Sequence, residues 1–259
     1  MTERVQLAYE EKGMGRPVVL LHGFCGSTRY WDRVVPLLSD SFRVITVDLR
    51  GHGRSEVPDS PYTIEAMADD VAGLLTSLQL DQPPVLLGHS LGGYVTLAVA
   101  ENVAASLGAY GLIHSTAYPD AEQAKANRDK TIAAIRDQGM VPFIDGLIPK
   151  LFAPAHVESM GDHVQAAKVI GYATAPQGAM HTAAAMRDRP DRNHVLLQEN
   201  LPVLLVAGEQ DQLIPVGKTF SVQGVHLTPV RIPEAGHMSM YEAPEALADA
   251  IKTFVEQLA

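Results

Sequence analysis

A chain of 259 residues, 46% hydrophobic and 19% charged, suits one large α/β domain with a full core and argues against two independent domains or a low-complexity tract. Its formal charge of −10 at pH 7 argues against non-specific binding to nucleic acid or an anionic membrane surface, since both would repel it. One cysteine, Cys25, excludes an internal disulfide; with no basic-then-apolar leader and no apolar run of membrane-spanning length, the expected compartment is the cytoplasm.

Val5 to Tyr9 alternates apolar and polar residues, as an exposed antiparallel strand does, and Gly13 with Gly15 marks the turn that follows. Pro17 to Leu21 is short and wholly apolar, the pattern of a strand covered on both faces by helices. It runs into His22-Gly23-Phe24-Cys25-Gly26, where Cys25 is either a nucleophile or a small packing residue. Ser27 or Thr28 can cap a helix whose Trp31, Val34, Val35 and Leu38 share a face. Phe42 to Leu49 reads as a second buried strand. It leads into the loop from Asp48 to Ser55, where Arg50 and His52 either touch substrate or hold the loop through local hydrogen bonds. Thr63 then caps a long amphipathic helix with Glu65 in its first turn and Ile64, Met67, Val71, Leu74, Leu75 and Leu78 along one side.

Pro84 to Gly93 is an apolar strand that breaks at Gly88-His89-Ser90-Leu91-Gly92 into a helix-compatible segment. A serine hydroxyl is a poor nucleophile near neutral pH, and a sharp strand-to-helix turn exposes it to a base and a substrate together. Gly88 and Gly92 have to be small for such a turn to close. The helix after Ser90 leaves its first backbone N–H groups free, which makes the Leu91 amide a donor for a developing oxyanion. The Phe24 amide is the candidate for a second donor.

Ala109 to His114 is the next core strand. From Tyr118 to Val195 the rhythm changes to helix-compatible sequence with no buried strand, and Phe143, Leu147 and Leu151 share one helical face. Such an insertion reads as a lid over the carboxyl ends of the strands, or as a helical subdomain packed on itself. Gly139, Gly146, Gly161, Gly171 and Gly178 are its possible hinge points. The sheet resumes at Leu201 to Ala207, ending in Gly208-Glu209-Gln210-Asp211. A last strand, Val225 to Ile232, ends in Gly236-His237, and a helix opened by Pro244 closes the chain.

Ser90, Asp211 and His237 therefore all fall in loops at strand carboxyl ends, in the order nucleophile, acid, base. A neutral imidazole at His237 can take the Ser90 proton and return it to a leaving group, and Asp211 can hold its tautomer. Glu209 and Asp120 are rivals for the acid. His22 and His89 have no clear acid–base role, and no histidine shows metal-ligand spacing, so neither a metal nor a cofactor is expected.

On His22-Gly23-Phe24, Asp48 through Ser55, Gly88 through Gly93, Gly208 through Asp211 and Gly236-His237, the chain resembles the α/β-hydrolase fold superfamily over essentially its whole length. The nearest branch is that of small esterases, enol-lactonases and cofactor-free haloperoxidase-like perhydrolases. The resemblance implies a Ser90–His237–Asp211 triad, an oxyanion hole from the Phe24 and Leu91 amides, and a mostly parallel eight-stranded sheet with helices on both faces. It also implies a helical cap after the sixth strand, so that residues 1–118 and 196–259 form the core and 119–195 the cap. A serine at the turn, where haloalkane dehalogenases and epoxide hydrolases carry aspartate, implies an acyl-enzyme. The expected activity is hydrolysis of carboxylic esters of small to medium apolar acyl or aryl groups, in a pocket including Phe143, Leu147 and Met238, with Phe24 and Met240 nearby. Lactone opening or carbon–carbon hydrolysis on the same triad, and a ligand-binding protein with little turnover, are the alternatives.

Overall fold

The computed structural model describes residues 4–258. Seven strands form one sheet: β1 (Tyr9–Lys12), β2 (Pro17–Leu21), β3 (Arg43–Val47), β4 (Val85–His89), β5 (Ala109–Ile113), β6 (Val203–Gly208) and β7 (Leu227–Ile232). Their spatial order is β1-β3-β2-β4-β5-β6-β7, with β1 antiparallel to β3 and every other pairing parallel.

The unbroken apolar runs have a physical cause. Val18 and Leu20 of β2 join Val85 and Leu87 of β4 in a core closed by Leu247, Ile251 and Phe254 of the Pro244–Glu256 helix. Val19, Leu21 and Leu86 face the other way, onto the Ile64–Ser77 and Leu91–Val103 helices. With both faces covered, the residues of β2, β4, β5 and β6 are apolar or small, His89 at the end of β4 excepted.

Four expectations need correction. The sheet has seven strands among the described residues, not eight, and the helical insertion follows the fifth strand rather than the sixth. Val5 to Ala8 alternates in burial as expected, with Val5 and Leu7 inward, but the strand begins only at Tyr9, with the Ala8 carbonyl accepting from Asp48 N–H at 2.9 Å. Two of its donors are taken by side chains: Val5 N–H bonds Asp70 Oδ1 at 2.9 Å and Ala8 N–H bonds Ser55 Oγ at 2.8 Å. The helix expected near Trp31 comes in two pieces, a 3₁₀ turn Thr28–Trp31 capped by Ser27 and one α turn Val35–Leu38. Pro36 has no N–H to give the preceding turn, so a continuous helix cannot form.

Between β5 and β6 the chain is helical, chiefly Glu122–Gln138, Met140–Leu147, Gly161–Tyr172 and Pro176–Asp188. The last of these is fastened to the core. Tyr62 Oη donates to the Gly178 carbonyl at 3.0 Å and lies 2.8 Å from Thr182 Oγ1. Gly178 meets Gly51 so closely that a Cβ there would sit 2.1 Å from the Gly51 carbonyl oxygen. Gly178 is thus a contact point and not a hinge. Gly178→Ala is expected to cost about 1–3 kcal/mol by prising this helix off the core, read as a lowered urea midpoint; an unchanged midpoint would show that the contact yields freely.

The parallel register brings the carboxyl ends of β4, β6 and β7 to one edge of the sheet. The loops that follow them carry Ser90, Asp211 and His237.

Candidate active site

Ser90 lies between β4 and the Leu91–Val103 helix with φ +51° and ψ −111°. A side-chain-bearing residue is strained there by roughly 1–3 kcal/mol, so its surroundings have to impose the conformation. They do so through the backbone. Ser90 N–H donates to the Ile113 carbonyl at 2.9 Å, and the Ser90 carbonyl accepts from Gly93 N–H at 2.9 Å and Ser115 Oγ at 2.7 Å. A Cβ on Gly88 would stand 2.1 Å from the Gly92 carbonyl oxygen, and one on Gly92 would stand 2.5 Å from the carbonyl oxygen of Leu21 in β2. Gly88 closes the turn on itself; Gly92 lets the helix approach the neighbouring strand.

Beside this turn lies the loop after β2. Gly26 N–H closes a turn onto the Gly23 carbonyl at 3.0 Å, with Cys25 at φ +56°. The Phe24 amide holds the second position, whose N–H the turn does not use, and Leu91 is the first residue of its helix, whose N–H has no acceptor within the helix. Gly23 packs against His89 and Ser90; a Cβ there would be 3.4 Å from that of Ser90. The Cys25 thiol is wholly buried, and burial pushes its pKa up, which suits a packing residue and not a thiolate.

His237 and Asp211 are buried and bonded, Nδ1 to Oδ2, at 2.7 Å. A carboxylate only accepts, so Nδ1 carries the proton and a neutral ring keeps its lone pair on Nε2. The other carboxylate oxygen of Asp211 accepts from the amides of Leu213 at 2.8 Å and Ile214 at 3.0 Å. Burial alone would raise the Asp211 pKa, but the His237 ring, the His114 ring and the Ile214 amide outweigh it and bring it to about 2. A carboxyl held below its unfolded value near ~4 stabilises the fold in full above that pH and loses the contribution as pH falls through about 2. The stability excess of wild type over Asp211→Asn is therefore expected to shrink between about pH 4 and pH 2, measured by denaturant melts. A pH-independent difference would contradict it.

The backbone around His237 is tied at several points. Its N–H donates to the Leu151 carbonyl at 2.7 Å, and its carbonyl accepts from His89 Nε2 at 2.8 Å. The amides on either side, of Gly236 and Met238, both donate to Glu242 Oε2, at 2.9 and 3.1 Å. Glu242 Oε1 accepts from the Ala153 amide at 2.6 Å and from His156 Nδ1 at 2.9 Å. Nothing in Tyr241-Glu242-Ala243-Pro244 marks this buried carboxylate in the sequence. Behind the pair, His114 Nδ1 accepts from Gly208 N–H at 3.1 Å, so its proton sits on Nε2 and faces Ser239 Oγ at 2.6 Å. Burial lowers its pKa to about 3 and keeps it neutral.

The remaining candidates have other partners. Glu209 is exposed and pairs with Arg231 at 3.8 Å, whereas Asp120 pairs with Arg189 at 2.7 Å and Arg128 at 3.0 Å. His22 donates to the Gly23 carbonyl at 2.7 Å and accepts from Leu49 N–H at 3.0 Å. Arg50 is buried against Asp70, and His52 bonds the Arg50 carbonyl at 3.1 Å, as a loop held by local bonds requires.

Ser90 and His237 open onto one cavity of about 220 Å³, together with Phe24, Tyr94, Leu147 and Leu151. Leu147 is on its wall. Phe143 stands behind, its ring 6.0 Å from that of Phe24. Met238 does not line it: the bonds that fix the His237 loop turn this side chain into the core, where it and Met240 are fully buried. The charged lining residues Arg128, Arg189 and Lys218 carry no signal in local sequence. Among the described residues no cluster of three or more His, Cys, Asp or Glu is arranged to hold a metal, and no helix is long and apolar enough to cross a membrane.

The alpha/beta hydrolase family profile matches residues 18–250. The chain belongs to that family. A thermophilic esterase from Thermogutta terrifontis, solved with malate bound, is 33% identical and superposes with a TM-score of 0.92 over 98% of this chain and 94% of its own. The 3-oxoadipate enol-lactonase 2 of Acinetobacter baylyi is 27% identical, the match covering 98% of this hydrolase and 94% of that protein. A bromoperoxidase from Bacillus anthracis, at 23% identity and a TM-score of 0.88 over 98% of this chain and 96% of its own, shares the fold.

Proposed function

We propose that this hydrolase cleaves carboxylic esters through an acyl-enzyme on Ser90. Ser90 Oγ attacks the ester carbonyl as His237 Nε2 takes its proton, and the Phe24 and Leu91 amides receive the oxyanion. The imidazolium, stabilised by Asp211, protonates the leaving alcohol; the neutral ring then activates a water that frees the acid and restores Ser90. The observation that carries this reading is the pairing of a strained serine with a carboxylate-bonded histidine on one cavity. The helices of residues 119–195 would act as the cap that excludes bulk water, and the mostly apolar walls favour small to medium acyl or aryl groups.

Ring opening of a lactone uses the same steps with the alcohol still tethered, and the enol-lactonase relative favours testing it in parallel. A series of p-nitrophenyl esters and a lactone panel, with a serine-directed phosphonate, test both readings. Turnover with labelling at Ser90 supports the mechanism; labelling at another residue, or turnover that survives Ser90→Ala, would sink it. Asp211→Asn is expected to lower kcat by roughly four orders of magnitude with little change in KM, because the ring would lose its tautomer. Near wild-type kcat in that variant would move the acid role elsewhere.

A further inference from the structure

The lining of the cavity contradicts the charge of the chain. A protein of net charge −10 presents three cations there, Arg128, Arg189 and Lys218, against one carboxylate, Asp120. A carboxylate needs one arginine to be neutralised, and Arg189 already fills that role. It is buried, with Nη1 2.7 Å from Asp120 Oδ1 and also on the Met186 carbonyl, Nη2 on the Tyr118 carbonyl, and its guanidinium 3.9 Å from the centre of the Tyr94 ring. These bonds account for Arg189 as the joint between the loop after β5 and the Pro176–Asp188 helix.

Arg128 is in excess. Its Nε donates to Asp120 Oδ2 at 3.0 Å, which aims the guanidinium, while both Nη groups have no acceptor among the described residues. Lys218 has no carboxylate partner among them either. The cluster of Asp120, Arg128 and Arg189 therefore keeps a surplus positive charge with Asp120 and Arg189 out of water, and Lys218 adds another. Arg128 keeps 26% of its side chain exposed and Lys218 is exposed, so the surplus charge stays within reach of an incoming counter-charge. A planar fork of free N–H donors fits a carboxylate better than it fits a neutral group.

Resting on the ester-hydrolase reading, we propose that Arg128 and Lys218 form a carboxylate subsite, so that the substrate is an ester or lactone that carries a free carboxylate. The apolar walls take the carbon skeleton, Ser90 meets the ester carbonyl, and Asp120 with Arg189 holds Arg128 in place. Selectivity then comes from charge as well as shape.

Monoethyl adipate and ethyl hexanoate differ only in a terminal carboxylate against a terminal methyl. Calorimetric titration of Ser90→Ala protein with each reads the subsite without requiring turnover. The anionic ester is expected to bind about ten- to a hundredfold more tightly, with the preference falling as salt is added. Arg128→Gln in the same background is expected to remove most of the preference and Lys218→Gln part of it. Lys218, on an exposed turn, keeps the test open should Arg128→Gln fail to fold. Equal binding of the two esters by Ser90→Ala protein, or a preference that survives both substitutions, would overturn the subsite. Anion-selective binding without hydrolysis of either ester by wild type would leave the subsite standing and remove the ester reading. Hydrolysis of ethyl hexanoate with no anion preference would do the reverse.

Discussion

Ser90→Ala is expected to lower kcat/KM on a p-nitrophenyl ester by roughly four to six orders of magnitude with the fold intact. In the proposed mechanism the hydroxyl is the atom that bonds to substrate, so neither the amides nor the imidazole can replace it. The bonds that hold the turn run through the Ser90 backbone, to Ile113, Gly93 and Ser115, and survive the change. Ser90→Gly sharpens the test. It should be equally inactive yet more stable by about 1 kcal/mol, because glycine accepts φ +51° without strain. Melting curves with steady-state rates read both effects; a Ser90→Gly protein less stable than wild type would mean that the turn stores no strain.

Glu242→Leu is expected to be the most damaging single change outside Ser90, Asp211 and His237. One buried carboxylate accepts four hydrogen bonds, and Oε2 holds the two amides that flank His237. Leucine leaves the donors of Gly236, Met238 and Ala153 buried and unpaired, at a total cost of at least about 3 kcal/mol. Glu242→Gln keeps one oxygen and turns the other into a donor that faces donors, so it should cost less but still misplace the ring. Its signature would be a kcat lowered by about ten- to a hundredfold with KM barely moved, since an ångström of misalignment acts on the chemical step. Urea melts and a kcat-against-KM comparison separate the two consequences. Wild-type kcat in Glu242→Gln would show that the His237 loop is held without this carboxylate.

The buried strands are legible in the sequence because a strand covered on both faces has no polar position to hide among. The edge is harder. The strand pairs from Tyr9 to Lys12, while the Val5 and Ala8 amides before it are held by Asp70 and Ser55, residues remote in the chain. The same division holds at the candidate site. The contact between Asp211 and His237 follows from the order of the last two strands and the loops they end in. Glu242 is illegible because its four donors come from residues 153, 156, 236 and 238, which only the packed fold assembles. Met238 is misleading for a related reason: adjacency to His237 suggests the cavity, but the bonds on its own backbone point it the other way. Arg128 and Asp120 are both visible as charged residues, yet their pairing becomes meaningful only once the wall of the cavity is known.

Cys25 gives the molecule a built-in reporter. It is the sole thiol of the chain, it lies fully buried in the turn that carries the Phe24 amide, and burial holds it in the unreactive protonated form. A thiol reagent can reach it only when that turn opens, so the labelling rate of the native protein counts the opening events of one loop. Occupying the cavity should slow the labelling. A ligand can thus be detected by protection of a sulfur that never touches it.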